Sequence, residues 1–380
     1  MKIDANSVTF EPQDMAFVKK LGILKATEMA LDYHAEHPNL PFLYDAEQLA
    51  GFLGISRGEL NDIVNHIQKE YKEAHLPKKD GTYRSLCVPS IRLRFCQDPI
   101  KEKILPQLPV SKFATAYQKG STTRGNAEPH IGKKFLLKLD ITDFFGSITF
   151  EQVQRTAFNT RYVSRQVGYL LTSLCCKDDS LPQGAATSPA LSNIVMYRFD
   201  DYIGRWCSQR QIAYTRYCDD MTFSANRPLY GVYQKVKTML REMGFELNES
   251  KTHFIGNDNR QSVTGLVVNE KLSIPSGYKR DLRQEVYYAL KFGVEDSVLH
   301  GHRSDFVEGG RPICCPTYML HLMGKVQYVL QIEPENLWFK DAQKKLLAYI
   351  YEHYSESLSY YLHFNKNGKG KGMYEQSNPV

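Results

Sequence analysis

Polar and apolar residues alternate in some parts of this chain and recur at helical spacing in others. Phe135, Leu137, Leu139 and Ile141 alternate with polar neighbours and predict a half-buried strand. Ile212, Tyr214 and Arg216 predict a second strand, and Met221, Phe223 and Ala225 a third. A tight turn at Cys218-Asp219-Asp220 is expected between them. Helical spacing takes over in Leu191, Ile194, Val195 and Phe199, after a loop broken by Pro182, Gly184 and Pro189. That run predicts a helix packed on a sheet, with Thr187 or Ser188 near its cap. Nearer the N-terminus, Leu49, Phe52, Leu53, Ile55, Leu60 and Ile63 form two helical runs. Gly54 interrupts them and Ser56 can cap the second. Val263, Leu266 and Val268, then Leu272 and Ile274, predict a hairpin turning at Asn269-Glu270. Beyond residue 278 the pattern is helical again: Leu322, Met323, Val326, Val329 and Leu330 have core-like spacing, ended by Pro334.

Acids occupy unusual places in this pattern. Neighbouring residues on a straight strand point to opposite faces, but a hairpin turn can aim Asp219 or Asp220 at a site beside the sheet. Asp140 lies opposite the apolar face of its strand, near the end. Burying an unpaired carboxylate is costly, so an acid here is solvated, hydrogen-bonded or metal-bound. A solvated turn or strand end would explain each acid alone. Taken together, Asp140, Asp219 and Asp220 are candidates for holding divalent cations.

Composition narrows the classes. A chain of 380 residues suggests several lobes, and a formal charge of +6 is compatible with a nucleic-acid partner. The 24 Tyr and 19 Phe can supply base-stacking surfaces as well as core. Eight cysteines without a CxxC pair argue against a zinc ribbon and a dense disulfide framework, and predict reduced thiols. Neither a signal peptide nor a run of transmembrane length is evident, so a cytoplasmic location away from membranes is expected.

Asp140 with Phe144-Phe145, then Leu181-Pro182-Gln183-Gly184, then Tyr217-Cys218-Asp219-Asp220 resemble the palm motifs of reverse transcriptases, in their usual order. GFELNESKTHF, with Gly244, Asn248 and Lys251, looks like the next palm motif. KKDGTYRSLCVPS resembles the fingers hairpin, with its turn at Asp80-Gly81. More narrowly, Asn126-Ala127-Glu128-Pro129-His130 is similar to the NAxxH element of bacterial retron reverse transcriptases, and Val263-Thr264-Gly265 to their VTG element. Cys218 stands where Ala is commonest in that family. The resemblance spans residues 78 to 335.

The resemblance implies an α+β right-hand polymerase. Preceded by the N-terminal helical region (1–75) that the hydrophobic pattern predicts outside the resemblance, its parts would be fingers (76–130) and a palm of antiparallel sheet flanked by helices (131–270). A primer-grip hairpin end and helical thumb (271–364) and a flexible tail (365–380) would follow. It implies two Mg²⁺ ions, with Mn²⁺ as the alternative, held by Asp140, Asp219 and Asp220, with the Ile141 carbonyl completing a shell. Lys79 (or Lys78) and Arg84 would hold the triphosphate, Gln183, Gly184 and Tyr217 the incoming nucleotide, and Lys251 the leaving pyrophosphate. Phe145 would exclude a ribose 2′-hydroxyl. Asn126, His130, Val263, Thr264, Gly265, Lys279, Arg280, Arg283 and Lys291 are candidate RNA contacts, with structural roles as the alternative.

The implied activity is RNA-directed DNA synthesis from dNTPs on a cognate structured noncoding RNA (msr-msd). It would be primed by an internal guanosine 2′-hydroxyl to give branched RNA–DNA, within an anti-phage system with an accessory effector. Alternatives are another bacterial reverse transcriptase (group II intron, diversity-generating or abortive-infection type), an idle RNA-binding scaffold, or a helix-turn-helix DNA-binding regulator built on residues 43–71.

Overall fold

The structure is a computed structural model and describes residues 14–77, 81, 83–300, 306–308, 311–312 and 315–366. In chain order, α1 (Met15–Leu21), α2 (Ile23–Glu36), α3 (Ala46–Leu53) and α4 (Arg57–Asn65) precede the hairpin of β1 (Tyr71–Pro77) and β2 (Tyr83–Pro89). After it come α5 (Ile91–Pro99), α6 (Thr123–Ala127), β3 (Phe135–Asp140), α7 (Phe150–Thr156), α8 (Arg165–Cys175) and α9 (Ser188–Ser208). Then follow β4 (Ala213–Tyr217), β5 (Asp220–Ala225), α10 (Tyr230–Glu242), β6 (His253–Gly256), β7 (Ser262–Val263) and β8 (Leu266–Val267). The last elements are α11 (Ser276–Phe292), α12 (Val294–His300), β9 (Val307–Glu308), β10 (Arg311–Pro312), α13 (Cys315–Ile332) and α14 (Leu337–Lys366).

Contacts divide the chain into two compact units: Met1–Ser121 with Leu137–Phe254, and Thr122–Leu136 with Ile255–Val380. The boundaries expected at 130 and 270 do not coincide with these units. Residues 122–136 and 255–270 share a core with the C-terminal helices, including Ala127, Leu136, Val263, Leu266, Val268, Leu322 and Val326.

In the first unit a four-stranded sheet runs in the order β4-β5-β3-β6. Helix α9 packs on β4. Its buried positions Leu191, Val195, Phe199, Ile203 and Cys207 recur every four residues, as one helical face requires. Strand β3 is more buried than its alternation predicts: Leu136, Leu137, Leu139 and Asp140 are all buried. A central strand covered on both faces reads as a continuous apolar run. Upstream, Gly54 ends α3 in the left-handed conformation, and Ser56 and Glu59 form a capping box on α4, worth about 1 kcal/mol. Strands β1 and β2 pair antiparallel from Tyr71–Pro89 to Pro77–Tyr83. Lys78, Lys79 and Asp80 lie outside the described residues.

The second unit corrects the expected hairpin turn. Val263 pairs with Leu266, so the two-residue loop is Thr264-Gly265, at φ +43° and +80°. Positive φ at both positions is the I′ pattern that matches strand twist. Asn269-Glu270 lies instead in a wider loop closed by the Val267–Ser273 bridge. The Asn269 side chain braces this loop, accepting from the Gln261 amide at 2.8 Å and donating to the Asn259 carbonyl at 2.8 Å. Among the described residues no helix is long and apolar enough to cross a membrane. The seven described cysteines are all free thiols, and Cys314 lies outside the described residues.

Candidate active site

Tyr217 pairs with Asp220, leaving Cys218 and Asp219 as the whole loop of the β4–β5 hairpin. Cys218 takes φ +60° and Asp219 does not take a positive value, the II′ pattern. A side chain at that φ costs about 1 kcal/mol or more, so surrounding contacts must hold it. The Ile141 amide donates to the Asp219 carbonyl at 3.2 Å, joining the end of β3 to the turn. From the other direction, the Asn248 amide donates to the Asp140 carbonyl at 2.8 Å, and Ile141 bridges Leu247. Three segments distant in sequence therefore meet at Asp140.

The electrostatics of this junction are unbalanced. Asp140 is 6% exposed, and the Lys251 Nζ lies 3.1 and 3.0 Å from its two oxygens. Even so, burial holds its carboxyl above the ordinary range, with the Asp219 charge adding to the rise and Lys251 opposing it. Asp220 is pushed up to about 6, first by burial and then by Asp219, against the opposing charge of Lys138. No three His, Cys, Asp or Glu side chains among the described residues are closed into a ready ligand set. The donors are nevertheless all carboxylate oxygens with excess negative charge. That chemistry suits a hard divalent cation, which would relieve the repulsion.

Residues 76–268 match the family model described as "Reverse transcriptase (RNA-dependent DNA polymerase)". The Retron Mx65 reverse transcriptase of Myxococcus xanthus is 31% identical over 321 residues, covering 78% of this chain and 70% of that protein. The chain belongs to the retron reverse transcriptases. The Retron Ec86 reverse transcriptase of Escherichia coli is 28% identical over 270 residues, covering 70% of this chain and 84% of its own length. Among solved structures, apo telomerase from Candida Tropicalis aligns with a TM-score of 0.44 at 11% identity, over 74% of this chain and 58% of that one. As a member of the family whose model and curated relatives it matches, the chain is an RNA-directed DNA polymerase with the α+β right-hand fold, and that family depends generally on divalent metal.

The remaining candidates in the first unit fall around the turn and the fingers hairpin. The Cys87 amide donates to the Gln183 carbonyl at 2.7 Å. Gly184 sits at φ +119°, and a Cβ there would lie 2.9 Å from the Cys87 carbonyl oxygen. Only glycine allows β2 and the loop before α9 to approach this closely. Gln183 is half-buried, and Gly184 and Arg84 are exposed. Lys79 lies outside the described residues. Of the adjacent phenylalanines, Phe144 is buried, while Phe145 remains half-exposed, 5.5 Å from it between ring centres. Tyr217 is half-buried.

Sequence reasoning missed a group beneath the turn. Arg216 and Asp200 are fully buried and paired, and the Arg216 Nη1 donates to the Cys218 carbonyl at 2.8 Å. The Tyr117 hydroxyl donates to the Cys218 sulfur at 3.1 Å. A signal existed: Arg216 shares the strand face of Ile212 and Tyr214, and a charge on an apolar face needs a buried counter-charge.

Several RNA-contact candidates in the second unit are committed to internal contacts. Asn126 is buried and donates to the Thr264 Oγ1 at 3.3 Å, and Thr264 in turn donates to the Thr123 carbonyl at 3.3 Å. His130 is fully buried, and burial with the nearby Lys133 charge depresses its imidazole to about 3. Val263 is buried in the core, whereas Gly265 is exposed. The NAxxH and VTG elements are therefore bound to each other, and neither Asn126 nor His130 presents its side chain to solvent. Lys279 is held by Glu333 at 2.6 Å in a half-buried pair. Arg280 is exposed beside Asp281. Arg283 lies over Trp338 and Phe339, 5.6 and 5.4 Å from the ring centres. The Lys291 Nζ donates to the Tyr287 hydroxyl at 2.5 Å. Arg280, Arg283 and Lys291 are exposed.

Proposed function

We propose that Asp140, Asp219 and Asp220 hold two Mg²⁺ ions, or Mn²⁺ in their place, with the Ile141 carbonyl as a further ligand. The observation that carries this reading is the Ile141–Asp219 backbone bond, which draws the strand-end acid to the turn that bears the other two. Ions bound there would activate the attacking hydroxyl and stabilise the leaving pyrophosphate. Asp140 and Asp219 are the principal ligands and Asp220 the supporting one. Lys251, already beside Asp140, supplies positive charge where pyrophosphate departs. Arg84 and Lys79 orient the triphosphate. Gln183, Gly184 and Tyr217 seat the nucleotide, and Phe145 closes the pocket under its sugar.

The substrates are dNTPs and a cognate structured RNA of msr-msd type, bound partly through Arg280, Arg283 and Lys291. Synthesis starts from an internal guanosine 2′-hydroxyl and yields branched RNA–DNA, in the cytoplasm, as part of an anti-phage system with an accessory effector. NAxxH and VTG in one packed module support the retron-specific part. Nucleic acid co-purified from cells tests it. Treatment with a debranching enzyme, which hydrolyses the 2′–5′ phosphodiester, should separate a linear RNA with a free 2′-hydroxyl from DNA ending in a 5′-phosphate. An unbranched product, or no DNA, would overturn it.

A further inference from the structure

We propose that Arg216 is a positioning residue: anchored on Asp200, it clamps the Cys218 carbonyl and thereby sets the direction of the Asp219 carboxylate. This rests on the reading that Asp219 is a metal ligand.

The guanidinium divides its donors among Asp200, Asn193 and the Cys218 carbonyl. Nε donates to both Asp200 oxygens at 2.9 and 3.2 Å. Nη2 donates to Asp200 at 2.6 Å and to the Asn193 Oδ1 at 3.1 Å. These contacts alone would neutralise the buried charge. The remaining arm, Nη1, goes to the Cys218 carbonyl. That carbonyl belongs to the planar peptide that leads into Asp219, so fixing its oxygen fixes the plane from which the Asp219 Cα departs. The clamp acts where it is most needed, because Cys218 holds an unfavourable positive φ.

The anchor is itself rigid. Asp200 also accepts from the Tyr214 hydroxyl at 2.7 Å, and Asn193 donates to the Ala116 carbonyl at 2.8 Å. The Arg216 backbone is tied on both sides, its amide to the Phe113 carbonyl at 2.8 Å and its carbonyl to the Thr115 amide at 2.7 Å. Helix α9, strand β4 and the 113–116 segment thus converge on one guanidinium, and its free arm reaches the catalytic turn.

A purely structural ion pair can be exchanged for apolar residues of similar size without loss of folding. A clamp cannot. The test is the triple variant Arg216→Met, Asp200→Leu, Tyr214→Phe in the full chain. It is read by Mn²⁺ titration with electron paramagnetic resonance, by thermal unfolding and by primer extension. We expect cooperative unfolding, Mn²⁺ affinity lowered about 10–100-fold and kcat lowered about 10²-fold, with KM for dNTP little changed. Cooperative unfolding with Mn²⁺ affinity and kcat both within about twofold of the unaltered protein, inside the range expected of an indifferent site, would overturn the clamp. If the triple variant does not unfold cooperatively, Arg216→Lys decides on the same two criteria, because it keeps a cation for Asp200 and loses the forked donor. Asp201→Ala, which removes only the surface pair with Arg205 on α9, is the control and should leave both readouts unchanged. Failure of the unaltered protein to extend a primer would instead count against the polymerase reading, while the Mn²⁺ comparison would still judge the clamp.

Discussion

The catalytic turn and the Asn126–Thr264 junction are both built from short polar motifs, yet they treat their polar groups in opposite ways. At the turn, Asp140 and Asp220 stay above the ordinary carboxylate range despite Lys251 and Lys138. At the junction, Asn126 and Thr264 satisfy one another, and His130 is neutral and sealed from solvent. Under-compensated charge kept near a surface has to be explained by something that arrives from outside. Satisfied, buried polarity is explained by the fold itself. The two motifs look equally functional as strings of letters; their electrostatics differ, the acids at the turn being under-compensated and the junction's polar groups being satisfied within the fold.

The largest effect expected from this contrast is at the turn. Asp219→Asn should lower primer extension at least about 10³-fold while the protein still binds its RNA. Extension near the unaltered level would remove the metal assignment. At the junction the effect should be on stability instead. An unfolded histidine titrates near 6.5, but His130 stays neutral in the fold down to about 3. Below pH 6.5 the unfolded chain therefore binds a proton that the folded one does not. The stability from this group is complete above pH 6.5 and is lost as pH falls towards 3. At pH 5 the loss is about 2 kcal/mol. Denaturant midpoints at pH 5 and 7.5 should show it, and His130→Gln should flatten that part of the pH dependence. An unchanged slope would mean that the imidazole titrates normally and is not sealed in.

Smaller effects sharpen the division. Gly184→Ala should cost about 1–3 kcal/mol and weaken dNTP use, because the new methyl meets the Cys87 carbonyl at a strained φ; wild-type behaviour in both would show that β2 and the loop need no close approach. The gentlest test compares two cations on α11. Arg280→Gln should reduce the salt slope of RNA binding by about 1. Lys279→Gln should leave the slope alone and lower stability, since it strips Glu333 of its ion pair. The reverse result would exchange their roles.

Much of this was legible in the sequence, for identifiable reasons. Period-two alternation marked β3 and the β4–β5 hairpin, and the acid on the polar face at the end of β3 stood out once the Asp219-Asp220 turn was set beside it. Gly54 and Ser56 mark the α3–α4 joint through local backbone chemistry that needs no tertiary context. The Thr264-Gly265 turn was hidden because a β-branched threonine is a poor advertisement for positive φ, while Asn269-Glu270 looked like better turn chemistry. The Arg216–Asp200 pair was hidden because it joins a strand to a helix, and only packing shows which of two adjacent acids, Asp200 or Asp201, faces inward. Lys279 looked like a phosphate contact until Glu333, 54 residues away, was seen to hold it.

The central claim is that acids from two separate segments share a cation site. Fe²⁺ substituted for Mg²⁺ generates hydroxyl radicals that cut the backbone next to bound metal, which maps the site without requiring catalysis. The account predicts cuts at both residues 140–141 and 218–220, suppressed by excess Mg²⁺. Cleavage confined to one segment, or to neither, would contradict it.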